Sequence, residues 1–188
     1  VVIEQTGYTK PPETDSHVRT DMKLTEHFSL FDLTKTDHTE LQAANRDLTD
    51  DQVKKLTLLA ELLEEIRLVI NMPIIVNDGF RGETLNKIDG GVSNSQHALA
   101  EAADWVPVRE KAGVRSVNDL YPIFKMVWDA AKVGKFKFGQ LIYESKSDTN
   151  CWFHLSLGFP YRDISKCGQV LTMKNGKYDL IDTISQNI

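Results

Sequence analysis

Thr49 and Gln52 frame the start of the longest periodic segment of the chain, and that segment fixes the kind of layer against which everything else must pack. A Thr followed three residues later by Gln is a capping box, in which each side chain satisfies the other's backbone N–H. Beyond it Val53, Leu56, Ala60, Leu63 and Ile70 fall on one stripe, widened by Leu59 and Ile66. The spacing predicts a long helix with one buried face. It ends near Asn71 and Met72, because Pro73 disfavours helix at the residue before it. Ser116 with Asp119 marks a second helix, whose buried face is Leu120, Ile123, Phe124, Val127, Trp128 and Ala131. Ser29 with Asp32 resembles a shorter capping box before Leu33.

Between and after the helices lie strand-like runs. Ile74 to Val76, Ala102 to Val108, Gly139 to Glu144 and Trp152 to Leu157 read as strands. Gln169 to Met173 and Lys177 to Ile181 flank Asn175-Gly176, a dipeptide that favours a type I′ hairpin turn. The reading is α+β: an antiparallel sheet with helices packed on one side. Asn77 to Gln96, with glycines at 79, 82, 90 and 91, is a long irregular stretch. A loop of that length inside a compact domain is usually functional. Residues 1–22 are polar, with Pro11 and Pro12 and no periodicity, and read as an extended arm or linker; residues 23–188 read as one domain.

Composition narrows the function classes. Apolar residues make up 41% of the chain, enough for a real core, and the formal net charge is −5. A nucleic-acid partner is not expected, since that footprint needs a basic face. No apolar run approaches the ~20 residues that span a bilayer. No basic-then-apolar signal pattern is visible at the N-terminus. Cys151 and Cys167 do not make a disulfide framework, and whether they form one bridge is left open.

Five histidines carry the chemical argument. His17 falls in the arm, and His27 and His38 have polar neighbours that suit surface or capping roles. His97 differs: it ends the glycine-rich loop in Ser95-Gln96-His97, and Asp104 follows on the next strand. In Cys151-Trp152-Phe153-His154-Leu155-Ser156-Leu157, strand alternation turns Phe153, Leu155 and Leu157 to the core. Trp152, His154 and Ser156 then face a cleft, and Trp152 becomes a candidate substrate contact. Two His and one carboxylate are a common ligand set for catalytic zinc. Spacing alone is a weak signal, because His-x6-Asp arises by chance in many chains.

The order of motifs adds what spacing cannot. Gly79-Phe80-Arg81, Leu85-Asn86, Gly90-Gly91, Ser95-Gln96-His97 and Glu101-Ala102-Ala103-Asp104 resemble the signature of the zinc D-Ala-D-Ala carboxypeptidase family. Those enzymes carry S-x-H-x6-D for two ligands and a late-strand W-x-H-x-S for the third, matched here by Trp152 to Ser156. Leu24 to Leu30 and Gly168 to Leu171 resemble phage-borne members. The likeness runs from about Lys23 to Leu171 and implies a hedgehog/D-Ala-D-Ala peptidase-like fold.

The resemblance implies Zn2+ on His97, Asp104 and His154, and hydrolysis of an amide bond in the stem peptide of bacterial peptidoglycan, as a carboxypeptidase or an endopeptidase. In several members the general base is a Glu three residues before the last His. Cys151 stands there in this chain, so the role passes to Glu144, at the end of a strand that resembles its counterpart in the hedgehog signalling domain. Glu101 is a weaker candidate. Arg81 corresponds to a catalytic-site Arg that holds a substrate carboxylate or carbonyl, an interaction its fork suits. Ser95 and Gln96 are further candidate substrate-binding residues. Ala100 departs from a frequent Gly, which matters only where the backbone needs a positive φ. The phage-like features imply a lytic or virion-associated enzyme acting at the cell wall or periplasm, with the arm available to a virion partner. The competing expectation is a non-catalytic zinc-binding structural or adaptor module of a phage particle on the same fold.

Overall fold

The computed structural model describes residues 22–108 and 117–186. In chain order these hold α1 (Asp50–Ile70), β1 (Ile74–Asp78), α2 (Glu83–Ile88), β2 (Ala102–Pro107), α3 (Val117–Lys132), β3 (Gln140–Ser147), β4 (Asn150–Ser156), β5 (Gln169–Lys174) and β6 (Lys177–Thr183). The start of α1 carries the capping box, with Gln52 N–H donating to Thr49 Oγ1 at 3.2 Å and Thr49 N–H to Gln52 Oε1 at 2.8 Å. Asn71 closes the helix in the left-handed region at φ 50°, a C-cap conformation that Asn tolerates. Ser29 and Asp32 do exchange their reciprocal bonds, but the residues after them run as turns rather than a helix. The Ser116–Asp119 cap lies outside the described residues, as does the arm expected over residues 1–22 except for Met22.

The six strands form one sheet in the order β1-β2-β4-β3-β5-β6. Four of the five strand pairs are antiparallel, as expected, but β5 runs parallel to β3. The cause is connectivity. β4 lies between β2 and β3, so after β4 the chain returns past the start of β3, where Gly168 and Gln169 donate to Phe138 O and Gly139 O. β5 therefore begins beside the beginning of β3 and must run with it. The β5–β6 hairpin turns at Asn175 and Gly176, with φ of 52° and 76°, the two positive values a type I′ turn requires.

The helices cover one face of the sheet, as the amphipathic patterns demand. Leu56, Leu59, Leu63 and Ile66 of α1 and Ile123, Phe124 and Val127 of α3 pack against Trp105, Leu141, Tyr143, Phe153, Leu155 and Val170. Phe153 stacks on Phe124 and meets Trp105 edge-on, with ring centroids 6.1 and 4.7 Å away. Cys151 belongs to this core face and both cysteines are free thiols. The stretch Asn77 to Gln96 is not irregular throughout: Asp78 completes β1, and Glu83–Ile88 forms α2. Such a short helix has too few turns to show a period in sequence.

Candidate metal centre and its cleft

The loop between β1 and β2 is clamped at its neck. Gly79 lies so close to Leu33 that a Cβ on it would stand 2.3 Å from the Leu33 carbonyl oxygen, so only glycine fits. The buried Asn45 side chain donates to Thr34 O and Phe80 O at 2.7 and 2.9 Å and accepts from Gly82 N–H at 2.6 Å. Arg81 N–H reaches His97 O at 3.2 Å, and Glu101 N–H reaches Gln96 O at 2.8 Å. His97 itself ties across: its Nδ1–H donates to Gly79 O at 2.8 Å, which leaves Nε2 with a free lone pair.

Asp104 and His154 are Cα partners on β2 and β4, so both side chains rise from the face opposite the helices. His154 Nε2–H donates to Gln96 Oε1 at 3.1 Å, which turns Nδ1 inward. His97 Nε2, His154 Nδ1 and Asp104 Oδ1 then converge, 3.3, 2.9 and 3.4 Å apart around the triangle. With both imidazoles neutral these are three acceptors, and they repel one another unless a proton or a metal cation sits among them. For a tetrahedral zinc with bonds of 2.0–2.1 Å, the ligand–ligand edge is about 3.3 Å. The donor set, its dimensions and the outward hydrogen bonds that fix both tautomers therefore fit zinc. Among the described residues no fourth His, Cys, Asp or Glu joins the cluster.

The electrostatics agree. Burial alone would raise the Asp104 carboxyl, but the charges and hydrogen bonds of His97 and His154 outweigh it and hold Asp104 far below the usual carboxylate range. Burial likewise depresses His97, yet Asp104's charge and hydrogen bond, with help from Asp78, leave it raised. For His154 burial wins and its pKa is lowered.

The triad opens on a cleft of about 500 Å³ that is also lined by Arg81, Ser95, Gln96, Glu144 and Tyr178. Glu144 is 8% exposed on β3, one strand from His154, and burial, followed by the Asp104 charge, raises its pKa to about 7. Arg81 lies against Asp78 and Asp89, its Nε 3.2 Å and its NH1 3.8 Å from their carboxylates. Trp152 shares the sheet face of His154 but does not line the cleft; it packs on Ile142, Leu171 and Met173. Glu101 is turned away into an ion pair with Lys55 at 2.9 Å. Two features were invisible to sequence reasoning: the Gly79 carbonyl behind His97, and Tyr178. Tyr178 pairs with Met173 across the Asn175-Gly176 turn and Met173 with Glu144, so the hairpin register was the one signal that placed it on this face. Ala100 has φ 60°, so the position where resembling enzymes often carry Gly does require the left-handed region.

Among curated proteins none matches the chain. A family description does: that of Peptidase M15 matches residues 27–126, more than half of the sequence, and spans Arg81, His97 and Asp104, while Glu144 and His154 lie beyond it. Fold, ordered motifs and that match agree, and the chain belongs to the peptidase M15 family of zinc D-Ala-D-Ala carboxypeptidase type.

Proposed function

We propose that this protein is a zinc peptidase that hydrolyses an amide bond in the stem peptide of bacterial peptidoglycan, with His97, Asp104 and His154 as metal ligands. The observation that carries the reading is the convergence of three oriented lone pairs beside a buried carboxylate, Glu144, in one cleft. A zinc ion held there supplies Lewis acidity, polarising a substrate carbonyl and favouring deprotonation of water near neutral pH. Glu144 accepts the proton of the attacking water at a carboxylate oxygen and returns it to the departing amine. Arg81 orients a substrate carbonyl or carboxylate through the part of its guanidinium not engaged by Asp78 and Asp89. Ser95 and Gln96 border the same cleft, and Gln96 holds His154. The phage-like segments at Leu24 to Leu30 and Gly168 to Leu171 support a lytic, wall-directed role over housekeeping trimming.

The test pairs metal content with hydrolysis on one preparation. About one zinc per chain, with chelator-sensitive release of new amino groups from purified peptidoglycan, is the expected result. Glu144→Ala should keep the metal and lose at least ~100-fold in rate. Zinc binding without release across several wall chemistries would instead make the chain a binding module.

A further inference from the structure

On the sheet face that carries the ligands, paired positions form two rows across the strands. One runs Asp104, His154, Ile142, Leu171, Leu180; its neighbour runs Trp152, Glu144, Met173, Tyr178. The ligands and Glu144 take the β2–β4–β3 side of these rows, and what remains is apolar. Ile142, Leu171 and Met173 are each at most 9% exposed and cluster with Trp152, apart from the core on the helix side. Such a cluster does nothing to hold the sheet to its helices. Next to it Tyr178 stands on the edge strand, 56% exposed. Ile142, Leu171 and Tyr178 line the same cleft as Glu144 and His154. The apolar floor is thus continuous with the reacting centre, and the edge tyrosine walls it. Arg81, Ser95 and Gln96 reach the cleft from the loop before β2, on the far side of β4, and make the other wall polar.

We propose that Tyr178 is a substrate-positioning residue whose ring closes an apolar subsite over Ile142 and Leu171, and that this subsite takes the uncharged side chain of a residue flanking the scissile bond. The inference rests on the peptidase reading above. A charged side chain placed there would shed water against Ile142 and Leu171 without a partner. Acidic ones would also meet Glu144, which lines the same cleft. Burial, with the charges of Glu144 and Asp104, also raises the Tyr178 phenol. A side chain as small as a methyl gains a factor of about four in affinity for each buried carbon. The polar wall meanwhile engages the backbone.

The test uses the zinc-loaded full chain and tripeptide isosteres in which CO–CH2 replaces the scissile amide, with alanine, glutamate or lysine at either flanking position. Calorimetry should show alanine binding about tenfold tighter than either charged residue at one of the two positions. Tyr178→Ala, and Tyr178→Thr, which suits an edge strand, should weaken the alanine isostere about tenfold, and Tyr178→Phe should restore it. On the matching amides the same variants should raise KM and leave kcat within about twofold. Equal binding of all three isosteres at both positions overturns the subsite, as does a Phe variant no better than Ala. Since the isosteres cannot be cut, preference among them is read even if no amide is hydrolysed. Hydrolysis without preference would remove the subsite and leave the peptidase intact.

Discussion

Replacing Glu144 by Gln should stabilise the metal-free protein at pH 8 and leave it nearly unchanged at pH 4.5. The carboxyl sits 8% exposed on a central strand, and burial together with the Asp104 charge moves its pKa from 4.5 to about 7. The folded chain therefore holds a proton that the unfolded chain releases between those values. Stability that is fully present below about pH 4.5 is lost as pH rises through about 7. At 1.36 kcal/mol per tenfold change, the full span corresponds to about 3 kcal/mol, and solvent in the cleft trims it to about 2 kcal/mol. Gln keeps the volume and removes the ionisation, so the variant escapes that loss. Urea unfolding in chelator, at both pH values, gives the difference directly. Adding zinc should shrink the gain, because a dication beside Asp104 offsets the charge that Glu144 otherwise meets. An equal gain at both pH values, or none at pH 8, would refute the reasoning that Glu144 is a buried carboxylate held against another.

Three further substitutions probe the scaffold of the centre. Gln96→Leu removes the acceptor of His154 Nε2–H and the donor to Ser156 Oγ at 3.0 Å; competition with a fluorescent chelator should show zinc affinity 10–100-fold lower, in the range expected for an outer-shell partner. Gly79→Ala drives a Cβ against the Leu33 carbonyl; it should cost about 1–3 kcal/mol in thermal unfolding and, by shifting the carbonyl behind His97, weaken zinc as well. Ala100→Gly relieves a left-handed backbone worth about 1–2 kcal/mol, but loses a buried methyl worth ~0.8 kcal/mol and loosens the unfolded chain by about 0.4–1 kcal/mol. The net change should stay within about 1 kcal/mol of zero, and a loss above about 2 kcal/mol would show that the methyl matters more than the φ.

What the sequence revealed and what it hid divide along the range of the interaction. The Thr49–Gln52 cap, the α1 stripe and the Asn175-Gly176 turn are local, and each appears where the pattern puts it. Strand alternation placed His154 on one face and Phe153 and Leu155 on the other, because a period of two survives any strand order. The parallel placement of β5 was not legible, since it depends on which edge of β3 remains free after β4 pairs with β2. Trp152 was put in the cleft because alternation gives only the face; the side-chain packing that sets its ring among Ile142, Leu171 and Met173 is not written in the sequence. The ligands could be named from ordered motifs. Of the groups that aim them, Gln96 was legible as a motif residue but not as the partner of His154, 58 residues away, and the Gly79 carbonyl on His97, 18 residues away, left no mark in sequence.

The neck at Gly79 and His97 also governs how this cleft can change. Seventeen residues lie between them, and the bonds that close the loop lie at its base rather than along it. Chain added between Gly82 and Ser95 would lengthen a loop whose ends are already pinned. Doubling such a loop costs only about 0.6 kcal/mol in closure entropy. Insertions there can remodel the polar rim while His97 stays tied to the neck, so the segment most open to evolutionary or engineered diversification adjoins a pinned metal ligand.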